Sequence, residues 1–382
     1  MIPRYAVKES VFAMKKLKWF LKKNPVLCAA AAAAVVTGVL VPPDAEYLGY
    51  FDWRTLCCLF LTLAVVCALR DIKFFSILAR RIVRLTGNLR VLALALVYIT
   101  FLGSMLIAND MALITFLPLG YFALSVTKQE RHMAYVFILQ NISANLGGML
   151  TPFGNPQNLY LYSYFNIPTG EFTAIMLPPF LLAVALLTVC CLLLKPEKLR
   201  IDEEFPEKLN RRRTAVYLAL FALSLAIVFR LIPYWAGLVV ITAALFALDR
   251  DALRQVDYAL LATFFLFFIF AGNLSRIEAV NRFVSGLLRR STLLVSLASC
   301  QCISNVPTAI LLSRFTENYR ELLLGVNIGG TGTLIASLAS LITFSEFRLL
   351  CPGRTKEYLL LFAGLNALFL AVLGAAAYFF FI

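Results

Sequence analysis

The sequence predicts an all-α polytopic membrane protein. Three observations point there. Of 382 residues, 61% are hydrophobic, and the mean hydropathy is +0.83. Stretches such as Pro25 to Val41 and Phe172 to Leu194 carry no charge, and about 18 such residues cross the roughly 30 Å hydrocarbon layer. The basic residues gather at the ends of these runs. A water-soluble core of this size cannot bury so much apolar surface, since a soluble domain is only about half apolar. A β-barrel is excluded because its strands would alternate apolar and polar residues.

The net charge of +14 would suggest nucleic acid in a soluble protein. Here the cations sit at span ends, where they set topology and touch anionic lipid, so no nucleic-acid partner is expected. The nine cysteines lie mostly inside apolar runs, with no histidines at zinc spacing. Neither a disulfide frame nor a metal site follows. His132 reads as a solvated loop residue. In residues 1–23, Lys15, Lys16, Lys18, Lys22 and Lys23 alternate with Trp19, Phe20 and Leu21. That pattern predicts a basic amphipathic segment on the membrane surface rather than a cleaved signal.

Nine spans are predicted, at 25–41, 53–69, 132–165, 172–194, 214–231, 233–249, 257–273, 319–345 and 356–381. The third and eighth exceed a straight crossing and contain Gly or Pro clusters. Amphipathic stretches occupy 70–90 and 274–290. After each comes an apolar segment with a polar knot, Ala108-Asn109-Asp110 and then Ser304-Asn305-Val306-Pro307. Each is expected to be a helical hairpin that enters the membrane and returns. With the N-terminus in the cytoplasm, 27 of the 35 Lys and Arg residues fall inside and 8 outside. The positive-inside rule favours that orientation.

The same topology puts segment 70–90 inside and 274–290 outside, so the two halves are expected to be inverted repeats. The residues repeat as well. Asn145-Leu-Gly-Gly-Met-Leu-Thr151 matches Asn327-Ile-Gly-Gly-Thr-Gly-Thr333, and Phe51-Asp52-Trp53 resembles Val256-Asp257-Tyr258. The predicted division is 24–194 for the first repeat, 195–213 for a cytoplasmic linker and 214–382 for the second repeat.

Inverted repeats with interrupted helices are a common layout of secondary transporters, with substrate sites near the midplane where helices break. A break frees backbone N–H and C=O groups, which is tolerable only beside protein, water or a ligand. Half-helix N-termini suit anions. Four breaks are legible. The tips offer Asn109, and Ser304, Asn305 and Thr308. The broken spans offer Asn145, Gly154 and Asn155, and then Asn327, Gly330 and Thr331. These are the candidate substrate-binding residues. Asp110 lies deep in apolar sequence, and an intramembrane carboxylate costs several kcal/mol unless paired, hydrated or protonated. It is the candidate ion-coupling residue, with Asn109, Asn305, Thr151 and Thr333 beside it. It also suits a helix N-cap. Cys300 and Cys302 flank the second tip. They could ligate arsenite, but small buried residues are the simpler account.

Asn109-Asp110, Ser304 to Thr308, and Gly325 to Ala339 resemble the arsenical-pump membrane protein branch of the ion transporter superfamily, which also holds citrate transporters, divalent-anion/sodium symporters and sodium/proton antiporters. The resemblance covers nearly all of residues 24–382. It implies a scaffold domain and a transport domain, two re-entrant hairpins meeting two discontinuous helices at one site, a homodimer and an elevator motion. The divalent-anion symporters carry a Ser-Asn-Thr triplet at each tip. Ala108-Asn109-Asp110 and Ser304-Asn305-Val306 both depart from it, which weakens the case for a dicarboxylate and sodium and favours proton coupling or a site that tolerates cations.

The expectation is a multi-pass protein of a bacterial inner membrane that carries a small anion, an organic carboxylate or inorganic oxyanion, coupled to H+ or Na+, with no other cofactor. The alternatives are a sodium/proton antiporter on the same fold and an arsenite efflux permease. An intramembrane enzyme would need a nucleophile or metal set that the sequence does not offer. A channel would not need broken, inverted repeats.

Overall fold

The computed structural model describes residues 24–199 and 209–382. The basic segment 1–23 and part of the linker lie outside the described residues. Within them the chain is helical, with no strand and one isolated backbone bridge between Asn88 and Lys198. Six helices are long and apolar enough to cross a membrane.

Helix α1 covers Pro25–Leu40, α2 Trp53–Asp71 and α3 Phe74–Arg84. Then come α4, Leu89–Ile107, and α5, Asn109–Val126, separated by Ala108 alone. Helices α6, Met133–Gly147, and α7, Pro156–Tyr164, are the halves of one broken helix, followed by α8, Thr169–Leu192. After the linker come α9, Arg211–Val228, α10, Tyr234–Leu248, and the short α11, Arg250–Arg254. The earlier order then recurs. Helix α12, Tyr258–Arg276, is followed by the short α13, Glu278–Leu288. Next are α14, Thr292–Ile303, and α15, Asn305–Leu312, separated by Ser304 alone. The broken pair α16, Tyr319–Ile328, and α17, Leu338–Leu350, precedes α18, Thr355–Ala376.

Corresponding helices start on the same chemistry. Asp52 caps α2 by accepting from the Thr55 N–H at 3.0 Å, and Asp257 caps α12 by accepting from the Leu260 N–H at 2.9 Å. Asn88 caps α4 and Ser291 caps α14 through the N–H three residues on. Each cap satisfies a donor that the first helical turn leaves free.

At Ala108 and Ser304 the chain turns back on itself. Gly103 faces the Phe116 ring, where a side chain would collide. In the later pair, the Thr292 hydroxyl at the start of α14 lies 3.5 Å from that of Thr316, just past the end of α15. The two pairs differ in size. The legs of the first, 19 and 18 residues, reach about 27–29 Å at 1.5 Å per residue. Those of the second, 12 and 8 residues, reach only about 12–18 Å. The first pair is thus long enough to cross by itself, whereas the sequence reading expected each to be a hairpin that enters the membrane and returns. Either form returns the chain to its starting side, so the order of later spans is unaffected.

Polar links divide the connecting segments into two end faces. On one face, the Leu89 N–H donates to Glu197 O at 2.9 Å, Gln129 donates to the Glu197 carboxylate, and Arg131 pairs with it. Arg354 reaches Glu130 O, and Arg70 reaches Gln255 at 2.6 Å. On the other face, Arg276 pairs with Asp44 at 2.6 Å and with Glu46 at 3.2 Å. There Arg314 donates to Tyr50 O, Arg230 to Tyr162 O at 2.7 Å, and Tyr319 to Glu171 at 2.6 Å. These two sets are the ones that the charge count placed on opposite sides of the membrane. The α4–α5 pair has its open ends at the first face and the α14–α15 pair at the second.

Helix α6 is the core. Every residue from Met133 to Gly147 is buried except Tyr135. It packs against α4, α5, α8, α17 and α18. A second group joins α2 to α9 and α10, and α12 to α1. The groups meet where α2 touches α7 and α12 touches α15. In α10 only Gly237, Ile241 and Leu245 are buried, a single stripe at four-residue spacing. Its other faces expose Trp235, Val239, Val240 and Phe246, a surface suited to lipid and not to water.

Candidate functional site

The site forms where the two turns meet the two breaks. Ala108 has φ 66° and ψ 154°, and Ser304 has φ 75° and ψ 160°. Non-glycine residues rarely adopt this geometry, which costs on the order of 1–3 kcal/mol. The same strain recurs at both turns, followed each time by an asparagine. Asn109 Oδ1 accepts from the Asp110 N–H, and Asn305 Oδ1 accepts from the Val306 N–H, both at 2.9 Å. Each asparagine, the first residue of its helix, thereby holds the next N–H and leaves its Nδ2 group for the interior.

Asn145, near the end of α6, is the hub. Its Oδ1 accepts from Asn109 Nδ2 at 3.1 Å and from Ser337 Oγ at 2.7 Å. It thus joins the first turn to the far end of the second break. Asn155 Nδ2 donates to Asn145 O at 3.1 Å and approaches Asn327 Oδ1 at 3.4 Å. Asn327 Nδ2 donates to Asn158 Oδ1 at 2.6 Å. The second turn is tied to the second break, since the Asn305 N–H donates to Ala336 O at 3.0 Å. All these asparagines are buried.

The glycines allow the close approach. A Cβ at Gly147 would strike Phe101 O and Ser104 Oγ on α4. A Cβ at Gly329 would lie 2.8 Å from Cys300 Sγ on α14. Ser104 and Cys300 each lie four residues before their turn, and Gly147 and Gly329 each open a Gly-Gly pair. One contact has thus been made twice. A second recurrence supports this. Thr151 Oγ1 donates to Met105 O at 3.0 Å, and Thr333 Oγ1 donates to Gln301 O at 3.1 Å.

Most sequence-predicted residues converge. Asn109, Asn145, Asn155 and Asn327 form one network, with Ser304, Asn305 and Gly330 beside it; a Cβ on Gly330 would lie 3.0 Å from Asn305 Nδ2. Gly154 packs on Gly148 at the first break. Thr308 and Thr331 sit differently. Their hydroxyl hydrogens go to Ser304 O and Ile328 O within their own segments, each at 2.7 Å. Thr151 and Thr333 each brace a break against a helix-pair leg. Cys300 is buried and Cys302 exposed. Residues two apart on a helix point to different sides, so the two thiols do not clasp one ion.

Four buried side-chain atoms here have no hydrogen-bond partner: Asn145 Nδ2, a donor, and Asp110 Oδ1, Asn155 Oδ1 and Gln157 Oε1, which are acceptors. Unpaired buried polar atoms cost about 1–3 kcal/mol each, and open donors and acceptors at the turns and breaks are places for a ligand. Asp110 is the second residue of α5, in its first turn; the N-cap is Ala108, so Asp110 does not take the N-cap position that the sequence suggested. Ser337, Asn158 and Gln301 were not among the predicted site residues. Ser337 lies within the quoted stretch Gly325 to Ala339 and Asn158 within the predicted third span, so their type was visible but their partners were not. Gln301 sits between two cysteines in an apolar leg, and that lone amide was the only signal.

Comparison with known proteins places the chain among membrane transporters. An uncharacterized transporter of Methanocaldococcus jannaschii is 32% identical over 300 residues, covering 78% of this chain and 82% of that protein. The inner membrane protein YbiR of Escherichia coli is 30% identical over 300 residues, covering 76% and 79%. An uncharacterized transporter of Haemophilus influenzae is 27% identical over 226 residues, covering 54% and 49%. The citrate transporter family matches residues 11–318, which include both turns and the first break. The helical membrane architecture, the relatives and this match over most of the chain agree: the protein is a membrane transporter of the citrate transporter family.

Proposed function

We propose that the protein is a secondary active carrier of a small anion, an organic carboxylate or an inorganic oxyanion, coupled to H+ or Na+, and not an enzyme. The observation that carries this reading is the buried asparagine network around Asn145, with its unpaired Nδ2 donor at the junction of two turns and two breaks. Neutral amide donors and half-helix N-termini in a site of low dielectric suit an anion. The recurrent contacts, and the opening of the two helix pairs at opposite faces, support two inverted repeats at 24–194 and 214–382 with hairpins that meet at the site. The two packing groups support a scaffold of α1, α2, α9, α10 and α12 and a transport body of α4–α8 and α14–α18. That division supports an elevator motion of one against the other, and the family resemblance adds a homodimer. The name of the Escherichia coli relative supports an inner-membrane location, with the N-terminus in the cytoplasm from the charge count.

Asp110 favours a second reading, a sodium/proton antiporter, because its buried Oδ1 is unpaired at the first turn. One experiment separates the two. The purified protein is reconstituted in liposomes, and a pH or sodium gradient is applied with and without citrate, succinate, sulfate, phosphate or arsenite. The carrier reading expects ion flux only with an anion; sodium/proton exchange with no anion present overturns it. In the carrier, Asp110→Asn flattens the pH dependence of transport. An unchanged pH profile and unchanged ion coupling in that variant would remove Asp110 from the coupling role.

A further inference from the structure

A helix break frees backbone carbonyls, and a cup of carbonyl oxygens in a medium of low dielectric attracts a cation. In this chain each cup is already filled by an amide of the chain itself. At the first break, Asn158 Nδ2 lies 3.2 Å from Gly148 O, 3.2 Å from Met149 O and 3.5 Å from Thr151 O. At the second, Gln301 Nε2 lies 3.0 Å from Gly329 O, 3.2 Å from Thr331 O and 3.1 Å from Leu297 O. An amide NH2 group has two hydrogens, so three oxygens converge on fewer donors than they could use. Each nitrogen stands where a small monovalent cation would stand.

The orientation of both amides is fixed from the other side. Asn158 Oδ1 accepts from Asn327 Nδ2 at 2.6 Å, and Gln301 Oε1 accepts from the Thr333 N–H at 2.9 Å. A flipped amide would face oxygen to oxygen and lose these bonds. The two fillers come from different elements. Asn158 lies on the half-helix after its break, whereas Gln301 lies on the leg of a helix pair. The recurrent contacts place Met105 opposite Gln301, and the Asn-Gly-Gly repeat places Ser340 opposite Asn158. Neither could reach as an amide does. The two cups share one matching position, Met149 O and Thr331 O, and Leu297 O belongs to the α14 leg itself; each break is nonetheless filled by an amide, and by unrelated means.

We propose that Asn158 and Gln301 are positioning residues whose amide nitrogens stand in for a monovalent cation at the two helix breaks, so that both breaks hold their shape without sodium. For transport this rests on the carrier reading, where it removes sodium as a structural ligand of either break. The claim about the breaks themselves does not depend on any substrate.

The test is the melting temperature of the full-length protein in detergent, measured in NaCl, KCl, LiCl and choline chloride at equal ionic strength. The wild type is expected to differ less among the four salts than the cup variants do. Asn158→Ala and Gln301→Ala each empty one cup and are expected to melt lower in choline. They should regain about 2 °C or more in one of the small-cation salts, by mass action on the emptied cup. Asn158→Asp and Gln301→Glu keep the side-chain shape but place an oxygen in the cup, and should depend on a small cation still more. Alanine variants that gain no more from a small cation than the wild type does would overturn the proposal. So would variants that none of the three cations restores, including variants that fail to fold in every salt. A failed transport assay beside a sodium-independent melt counts against the carrier reading alone.

Discussion

Asn145 shows what one residue does here. Its Oδ1 holds Asn109 and Ser337, which come from opposite ends of the chain. Asn145→Ala would strand both donors in a buried site, at about 1–3 kcal/mol for each. The expected result is a clear fall in melting temperature together with loss of anion-dependent flux. Asn145→Ser, which keeps an acceptor, should recover part of the stability; no recovery would mean that the network does not depend on that acceptor. Thr308→Val is a contrasting case, because its hydroxyl hydrogen is committed to Ser304 O. It should alter transport less than Asn305→Ala does, as uptake by the two variants would reveal. The asparagines were legible in the sequence because amides at membrane depth are conspicuous. Their partners were not, because a hydrogen bond between residues 192 apart depends on how two breaks are laid against each other.

At the scale of elements, the turn at Ala108 holds two legs together by close packing. Gly103→Ala would drive a methyl group into the Phe116 ring, at a cost of about 1–3 kcal/mol for overpacking a full core. Phe116→Leu in the same chain should return part of it, and a double-mutant cycle of melting temperatures measures that coupling. Additive effects would mean that the legs do not meet there. On the second face, Arg276 staples the segment Ala45–Tyr50 to α12 through Asp44, Glu46 and the Tyr50 hydroxyl. The hydrogen bond from Arg276 holds the Asp44 carboxyl below its usual range. A carboxyl with a lowered folded pKa stabilises above its unfolded value, and that contribution is lost as pH falls through the folded one. The melting difference between wild type and Asp44→Asn should therefore be present at neutral pH and vanish in acid. A difference that persists in acid would point to lost packing instead. Element order and both turn positions followed from the sequence. The unequal lengths of the two helix pairs did not, since an apolar run does not say where packing will end a leg.

For the whole molecule, the polar links sort the loops into two faces without any reference to a membrane. A cysteine-free background with Lys198→Cys or Glu278→Cys tests this in sealed membrane vesicles. Each new cysteine should react with an impermeant maleimide from one side only, and the two from opposite sides. Labelling of both from the same side would remove the two-faced arrangement and the inverted repeats with it. The positive-inside count further requires that Lys198 be the cytoplasmic one.

The sequence by itself determined that this is a multi-pass helical membrane protein and where its helices break, and it groups the loops by charge. Those properties follow from apolar length, from Gly and Pro at the breaks and from the placement of charge, all written locally along the chain. Only the tertiary structure decided that Asn145 is the hub, that Ser337 reaches it, and that Asn158 and Gln301 fill the carbonyl cups. The reason is physical. A break creates unsatisfied carbonyls wherever it occurs, but whether a ligand, an ion or a distant side chain satisfies them depends on what the fold brings within about 3 Å.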